Sequence, residues 1–218
     1  MKVGYLLAGS GFLDGAEIQE AVSGLIALAQ EGVQIVPIAP DMKQHHVIDH
    51  QSGQEVNETR NVLVEAARIV RGNVTPLSDI SVEDLDALVI AGGFGVAKNL
   101  CDLAFKGPDC VVLDDCAALV NACHAAKKPI GAMCIAPAMV AKILGAHTKV
   151  KLTIGSDPGT IEAIEAMGCE HIICNVDSFV TDEINKVVST PAYMLGPGPA
   201  DVFKGISGMC KEVVRLAN

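Results

Sequence analysis

One thiol stands where a chain places a nucleophile. In KPIGAMCIAPAMVAKIL the apolar run stops at Cys134 and a helical apolar pattern starts immediately behind it, so Cys134 falls at a strand-to-helix turn. Such a turn has the mechanics of a nucleophile elbow: the side chain is lifted above the sheet, and the backbone N–H groups that follow face whatever it attacks. The positive end of the helix also favours a thiolate there. Pro137 suits the first helical turn. The other seven of the eight cysteines fall in helices, loops or strand interiors and read as small buried hydrophobes; no Cys-x-x-Cys pair occurs.

Two further pieces could serve that thiol. AGGFG, Ala91–Gly95, ends a buried run in bare backbone, and the N–H groups near Gly92 and Gly93 could meet an oxyanion formed at Cys134, with the N–H of Ile135 as second donor. It is not a dinucleotide fingerprint, since Gly9, Gly11 and Gly15 miss the spacing that would follow the first strand, and no phosphate-binding loop pattern is present. In DGAEIQEAV, Glu17 and Glu20 lie three apart on one face of a helix start. They read either as dipole-matched, solvated first-turn acids or as a carboxyl aimed into the crevice, able to share a proton with the thiol. His45, His46, Asp49 and His50 cluster in a polar stretch and read as solvated surface rather than as a metal site. His124 sits mid-helix and is expected at the surface, and no Ser/His/Asp set is evident.

The elements that must position these residues alternate strand and helix. Strands are expected at 2–8, 33–39, 129–133, 150–155 and 171–175, 86–95 reads as a buried strand running into a glycine turn, and helices are expected at 16–30, 59–70, 114–126, 135–144, 158–167 and 199–216. Residues 178–191 read as a hairpin, and 40–58 as a polar loop or hairpin excursion. With 218 residues, 50% of them hydrophobic and 3% aromatic, the chain suits one domain of buried parallel strands under helices. A net charge of −10 disfavours nucleic acid and anionic membranes, and no apolar stretch approaches a bilayer span. The N-terminal run is too short for a secretory signal, and reduced cysteines point to the cytosol.

The segments LLAGSGFLDGAEIQEAV, IAPD, VIDH, GGFGVAKNL, KPIGAMCIAPAM and VVSTPAYM, spread over nearly the whole chain, resemble the PfpI/ThiJ superfamily related to class I glutamine amidotransferases, and within it the ElbB subfamily. The resemblance implies a flavodoxin-like three-layer α/β sandwich with a mostly parallel sheet. It implies a nucleophilic Cys134 and Glu20 as its carboxyl partner, since the distance from Glu20 to the helix-ending Gly32 matches the superfamily's glutamate. Gly93 and Ile135 are implied as backbone donors, and Glu17, Gly92, Ser10 and Asn99 as the substrate pocket. Members similar to ElbB convert glyoxal to glycolate, so the implied function is cofactor-independent glyoxalase chemistry on a small aldehyde, by a homodimer. The chain departs from the wider superfamily at Ile135, where protease-like members carry histidine, and at Gly155, where others place a strand-end histidine. His171 is followed by Ile172 and Ile173, so the late His-x-Glu of glutaminases is absent too. A redox-sensing or regulatory protein using oxidation of Cys134, or an accessory subunit in isoprenoid-related biosynthesis, is the alternative.

Overall fold

Short Val-, Ile- and Leu-rich runs bounded by Gly, Pro or polar residues become buried strands, and the longer amphipathic patterns between them become covering helices. The computed structural model describes residues 1–218, beginning with β1 (Lys2–Leu6), α1 (Ile18–Gln30) and β2 (Gln34–Ala39). An excursion carrying β3 (Ile48–Asp49) and β4 (Gln54–Glu55) leads to α2 (Val62–Ile69) and β5 (Thr75–Pro76). Then come β6 (Ala87–Ile90), a π-helical turn (Val96–Leu100), α3 (Leu103–Lys106), α4 (Asp114–Ala125), β7 (Ile130–Met133) and α5 (Ala136–Leu144). The chain closes with β8 (Lys151–Leu152), α6 (Pro158–Ala166), β9 (Glu170–His171), β10 (Val180–Asp182), β11 (Val187–Thr190) and α7 (Pro199–Ala217).

Seven strands form the central sheet in the order β10-β11-β7-β6-β1-β2-β5. Every pairing is parallel except β10 with β11. Side chains alternate faces as the pleat requires. Val3, Tyr5 and Leu7 join a core with α1, α2 and α7, whereas Leu6 and Ala8 join the opposite core with α4, α5 and α6. This is the expected three-layer α/β architecture.

Two expected strands, 150–155 and 171–175, lie off the central sheet. They shrink to β8 and β9, a separate parallel pair. The edge beside β11 is already occupied by β10, so residues here attach through side chains instead: Thr153 N–H donates to Ser189 Oγ at 2.9 Å and Lys151 N–H to Asp182 Oδ2 at 2.8 Å. β6 ends at Ile90 and gives way to the expected glycine turn, in which Gly93 takes a left-handed φ of 99°. The helix expected from residue 59 starts at Val62, capped by Asn61 Oδ1 accepting from Val64 N–H at 3.1 Å.

From β1 the chain moves outward to β2 and β5, then returns to pair β6 on the other side of β1. The crevice above the carboxyl ends of β1 and β6 is therefore the topological switch point, where open α/β sheets hold ligands. α1 starts after β1, the glycine loop after β6 and the Cys134 turn after β7.

Candidate active site

Cys134 is the single residue between Met133, the last of β7, and the turn that opens α5. With so little connecting chain, the backbone reverses in one step, and Cys134 adopts φ 60°, a left-handed conformation costing a residue with a Cβ roughly 1–3 kcal/mol. Its N–H donates to Thr190 O at 3.0 Å, which anchors the turn to β11. No side chain caps the N-terminus of α5. The backbone N–H groups of Ile135 and Gly93 instead face the thiol.

Glu20 lies in the first turn of α1, fully buried beneath the thiol. Oε1 accepts the Tyr193 N–H at 2.9 Å, while Oε2 is buried with no hydrogen-bond partner in ordinary geometry. That free oxygen faces Cys134: a Cβ added at Gly92 would collide with both Glu20 Oε2 and Cys134 Cβ. Burial pushes the Glu20 carboxyl up to about 8, with the nearby Glu17 charge adding to the rise. Burial also pushes the Cys134 thiol well up, as does the Glu20 charge, and these outweigh the two N–H groups directed at the sulfur. The expected lowering of the thiol by the helix start is thus corrected to a net rise. A desolvated sulfur facing a carboxyl loses more as an anion than one helix terminus returns.

Glu17 does not share a helical turn with Glu20. It is the N-cap of α1, its Oε2 accepting from Glu20 N–H at 2.6 Å, and it lines the cavity above the thiol. Gly92 and Gly93 pack their backbones against the carboxyl and against the loop at Gly15–Glu17, where a Cβ at Gly93 would strike backbone.

A cavity of about 750 Å³ opens above Cys134. Its apolar walls are Phe12, Phe94, Ile135, Tyr193 and Met194, and its polar groups are Glu17, Gln19, Asp157 and Thr160. Ser10, Asn99 and Gly92 are not among its lining residues, Gly92 lying beneath with its backbone against Glu20 and Cys134. Ser10 lines a separate polar depression with Arg60, Glu65 and Arg68. Asn99 is buried structural bracing: Nδ2 donates to Ala8 O at 3.0 Å and Asp14 O at 2.9 Å, and Oδ1 accepts His45 N–H at 2.9 Å. Both N–H groups of the carboxamide are committed to backbone and its oxygen is turned to the His45 N–H, so the side chain braces the fold. The walls from Phe12, Tyr193, Met194 and Asp157 escaped sequence reasoning. Only Asp157 carried a local signal, as the N-cap before Pro158.

No histidine reaches the thiol. His171 Nε2 accepts Ile154 N–H at 3.2 Å, and Gly155 leaves its strand end bare. His124 is half-buried rather than on the surface, its Nε2 3.4 Å from Asn185 Oδ1. His45 lies tilted against Phe105 and His46 edge-on to it, and no group of three or more His, Cys, Asp or Glu side chains is placed to hold a metal ion.

A parallel sheet with a thiol elbow over a buried carboxyl is the arrangement of the class I glutamine amidotransferase-like, PfpI/ThiJ-type proteins. No family model matches the chain. The chain is 40% identical over 225 residues to the ES1 protein homolog, mitochondrial, of Rattus norvegicus, covering 99% of this chain and 84% of that protein. It is 41% identical over 225 residues to the human glutamine amidotransferase-like class 1 domain-containing protein 3, mitochondrial, covering 99% and 83%. The chain therefore belongs to the ES1 family of class I glutamine amidotransferase-like proteins. Among solved structures, an isoprenoid biosynthesis protein with amidotransferase-like domain from Ehrlichia chaffeensis superposes with TM-score 0.94 at 40% identity over the whole of both chains. A glyoxalase III from Candida albicans shares the fold, with TM-score 0.63 at 16% identity over 99% of this chain and 97% of that one.

The rat, human and zebrafish relatives are all named as mitochondrial, which overturns the expectation of a cytosolic location. The reason is chemical: all eight cysteines are free, but reduced thiols only separate reducing from oxidising compartments and do not single out the cytosol.

Proposed function

We propose that the protein converts glyoxal, or a similar small dicarbonyl, to a 2-hydroxy acid through a hemithioacetal on Cys134, as the motifs shared with the ElbB subfamily imply. The observation that carries this reading is the unpartnered, buried Oε2 of Glu20 facing the thiol at the floor of the cavity. With its carboxyl raised to about 8, Glu20 holds a proton at neutral pH and can give it up on demand.

The sulfur attacks one carbonyl carbon and forms the S–C bond. Glu20 hands its proton to the new alkoxide and takes up the thiol proton, while the Gly93 and Ile135 N–H groups stabilise the oxygen. The ionised form of Glu20, accessible because its carboxyl sits at about 8, then takes the hydrogen on that carbon as a proton and returns it to the neighbouring carbon through an enediol. One carbon is oxidised to a thioester as the other is reduced to an alcohol, so no external electrons are needed. Water cleaves the thioester, releasing glycolate and restoring the thiol. Glutaminase and peptidase chemistry both lack a histidine at this thiol.

Purified wild type, Cys134→Ala and Glu20→Gln are to be compared for glycolate formation from glyoxal. Equal production by wild type and Cys134→Ala would sink the assignment. The sensor alternative calls for an accessible thiol of lowered pKa, whereas burial pushes this one up. Selective sulfinic acid at Cys134 after mild peroxide, with negligible turnover, would reverse that preference.

A further inference from the structure

The cavity above Cys134 is far larger than glyoxal, two carbons and two oxygens, requires. At about 750 Å³ it matches the size of pockets that enclose ligands of many heavy atoms. Its lining is also uneven in character. Phe12, Phe94, Tyr193 and Met194 supply aromatic and thioether surface, and the carboxyl groups in the lining are those of Glu17 and Asp157. Neither carboxylate is saturated. Glu17 uses Oε2 to cap α1, and both hydrogen bonds to Asp157 fall on Oδ2. No Lys or Arg lines the cavity, and the chain as a whole carries a net charge of −10.

Phe12 and Phe94, 46% and 49% exposed, stand at the mouth of the cavity and are tied to each other and to neighbouring side chains. Phe94 N–H donates to Phe12 O at 2.8 Å, Phe12 packs edge-on against His50 with centroids 5.4 Å apart, and Lys98 Nζ sits 5.4 Å from the Phe94 ring centre. Such walls select for a flat apolar group, through burial and ring stacking. An anionic group would lose its hydration beside two carboxyl groups and meet no cation in the lining, Lys98 lying outside it with its ammonium on Leu13 O at 2.8 Å.

We infer that the substrate is a 2-oxoaldehyde bearing an apolar, aromatic-sized arm without negative charge, and that carboxylate- or phosphate-bearing aldehydes are excluded. This rests on the proposed thiol–aldehyde chemistry and adds to it the identity of the arm.

The test has two readouts. In turnover, phenylglyoxal is expected to exceed glyoxal in kcat/KM by about tenfold or more, the order a filled apolar subsite supplies. 4-Carboxyphenylglyoxal, the same arm with one anion, is expected to fall at least about tenfold below phenylglyoxal, by the cost of an unpaired charge. Equal values, or a reversal, overturn the inference. The second readout needs no turnover: the rate of alkylation at Cys134, followed by peptide mass spectrometry with Cys134→Ala as blank. N-benzyl iodoacetamide is expected to react faster than iodoacetamide, and iodoacetate slowest. Asp157→Asn, which keeps the N-cap, is expected to narrow the penalty on iodoacetate. Turnover absent with every aldehyde but alkylation in this order would remove the glyoxalase reading and keep the arm selectivity. Iodoacetate matching iodoacetamide would remove the selectivity, whatever the turnover.

Discussion

Glu20→Gln should change how stability depends on pH, and the direction follows from burial. The carboxyl sits at about 8 in the folded protein against an ordinary 4.5, so the folded state binds this proton more tightly than the unfolded chain does. Its contribution is complete below the ordinary carboxyl value and is lost as pH rises towards about 8. At about 1.4 kcal/mol per pKa unit, full ionisation of this carboxyl costs the fold up to about 5 kcal/mol. Between about pH 5 and about pH 8.5 the loss is roughly 4 kcal/mol. Glutamine is the neutral isostere: its oxygen can accept the Tyr193 N–H and its NH₂ can point at the sulfur, leaving one N–H unpaired at a cost of about 1–3 kcal/mol. The variant should therefore be the less stable protein in mild acid and the more stable one in mild base. With a urea m-value of about 2 kcal/mol/M, its midpoint relative to wild type should move by about 2 M across that range. Titrating groups that do not feel the Glu20 charge are common to both proteins and cancel in the difference; Cys134, which does feel it, is held up by burial and opposes the thiolate in both. Parallel midpoints at all pH values would show that Glu20 is already ionised in the fold, and the proton relay would fail with it.

Gly92→Ala places a methyl group against Glu20 Oε2, Cys134 Cβ and, at 3.1 Å, Met133 O. It should cost about 1–3 kcal/mol in thermal unfolding and abolish glycolate formation; full activity would mean that the thiol and carboxyl need not meet. Asn99→Ala should destabilise by at least about 2 kcal/mol, since it orphans groups on three segments, yet leave alkylation of Cys134 near wild type. The rate of Cys134 alkylation by iodoacetamide should keep climbing with pH through the ordinary thiol range, because burial and the Glu20 charge both oppose the thiolate. A plateau in mild acid would contradict that, and Glu20→Gln should shift the profile towards lower pH.

What could be read along the chain was local. The elbow at Cys134 was legible because strand, turn and helix occupy one continuous segment, and the glycines after β6 because tight turns have few residues to choose from. The β8 and β9 segments carry strand-like composition as well, but membership of a sheet depends on which edge is free, and β10 occupies it. Glu17 and Glu20 show the same division. Their spacing places both at the start of α1, yet nothing nearby says that one caps the helix and the other is sealed beneath the thiol. The group that decides it, Tyr193 N–H on Glu20 Oε1, comes from 173 residues away. Ser10 and Asn99 flank the motifs that build the site and so look like pocket residues, yet their hydrogen bonds and neighbours place them elsewhere.

The thiol itself shows why sign, and not only position, escapes local reading. A helix start beside Cys134 is visible in sequence and argues for a thiolate, because its dipole is built from adjacent residues. Desolvation is built from everything else: packing of β6, β7, β11 and α1 leaves Cys134 only 8% exposed, at the floor of the cavity, and sets a carboxyl below it. Two groups that both resist ionisation leave a neutral thiol over a neutral carboxyl at rest. Charge then develops only when an electrophile enters and gives the proton a third oxygen to occupy, which is the condition aldehyde addition meets and a resting redox sensor does not.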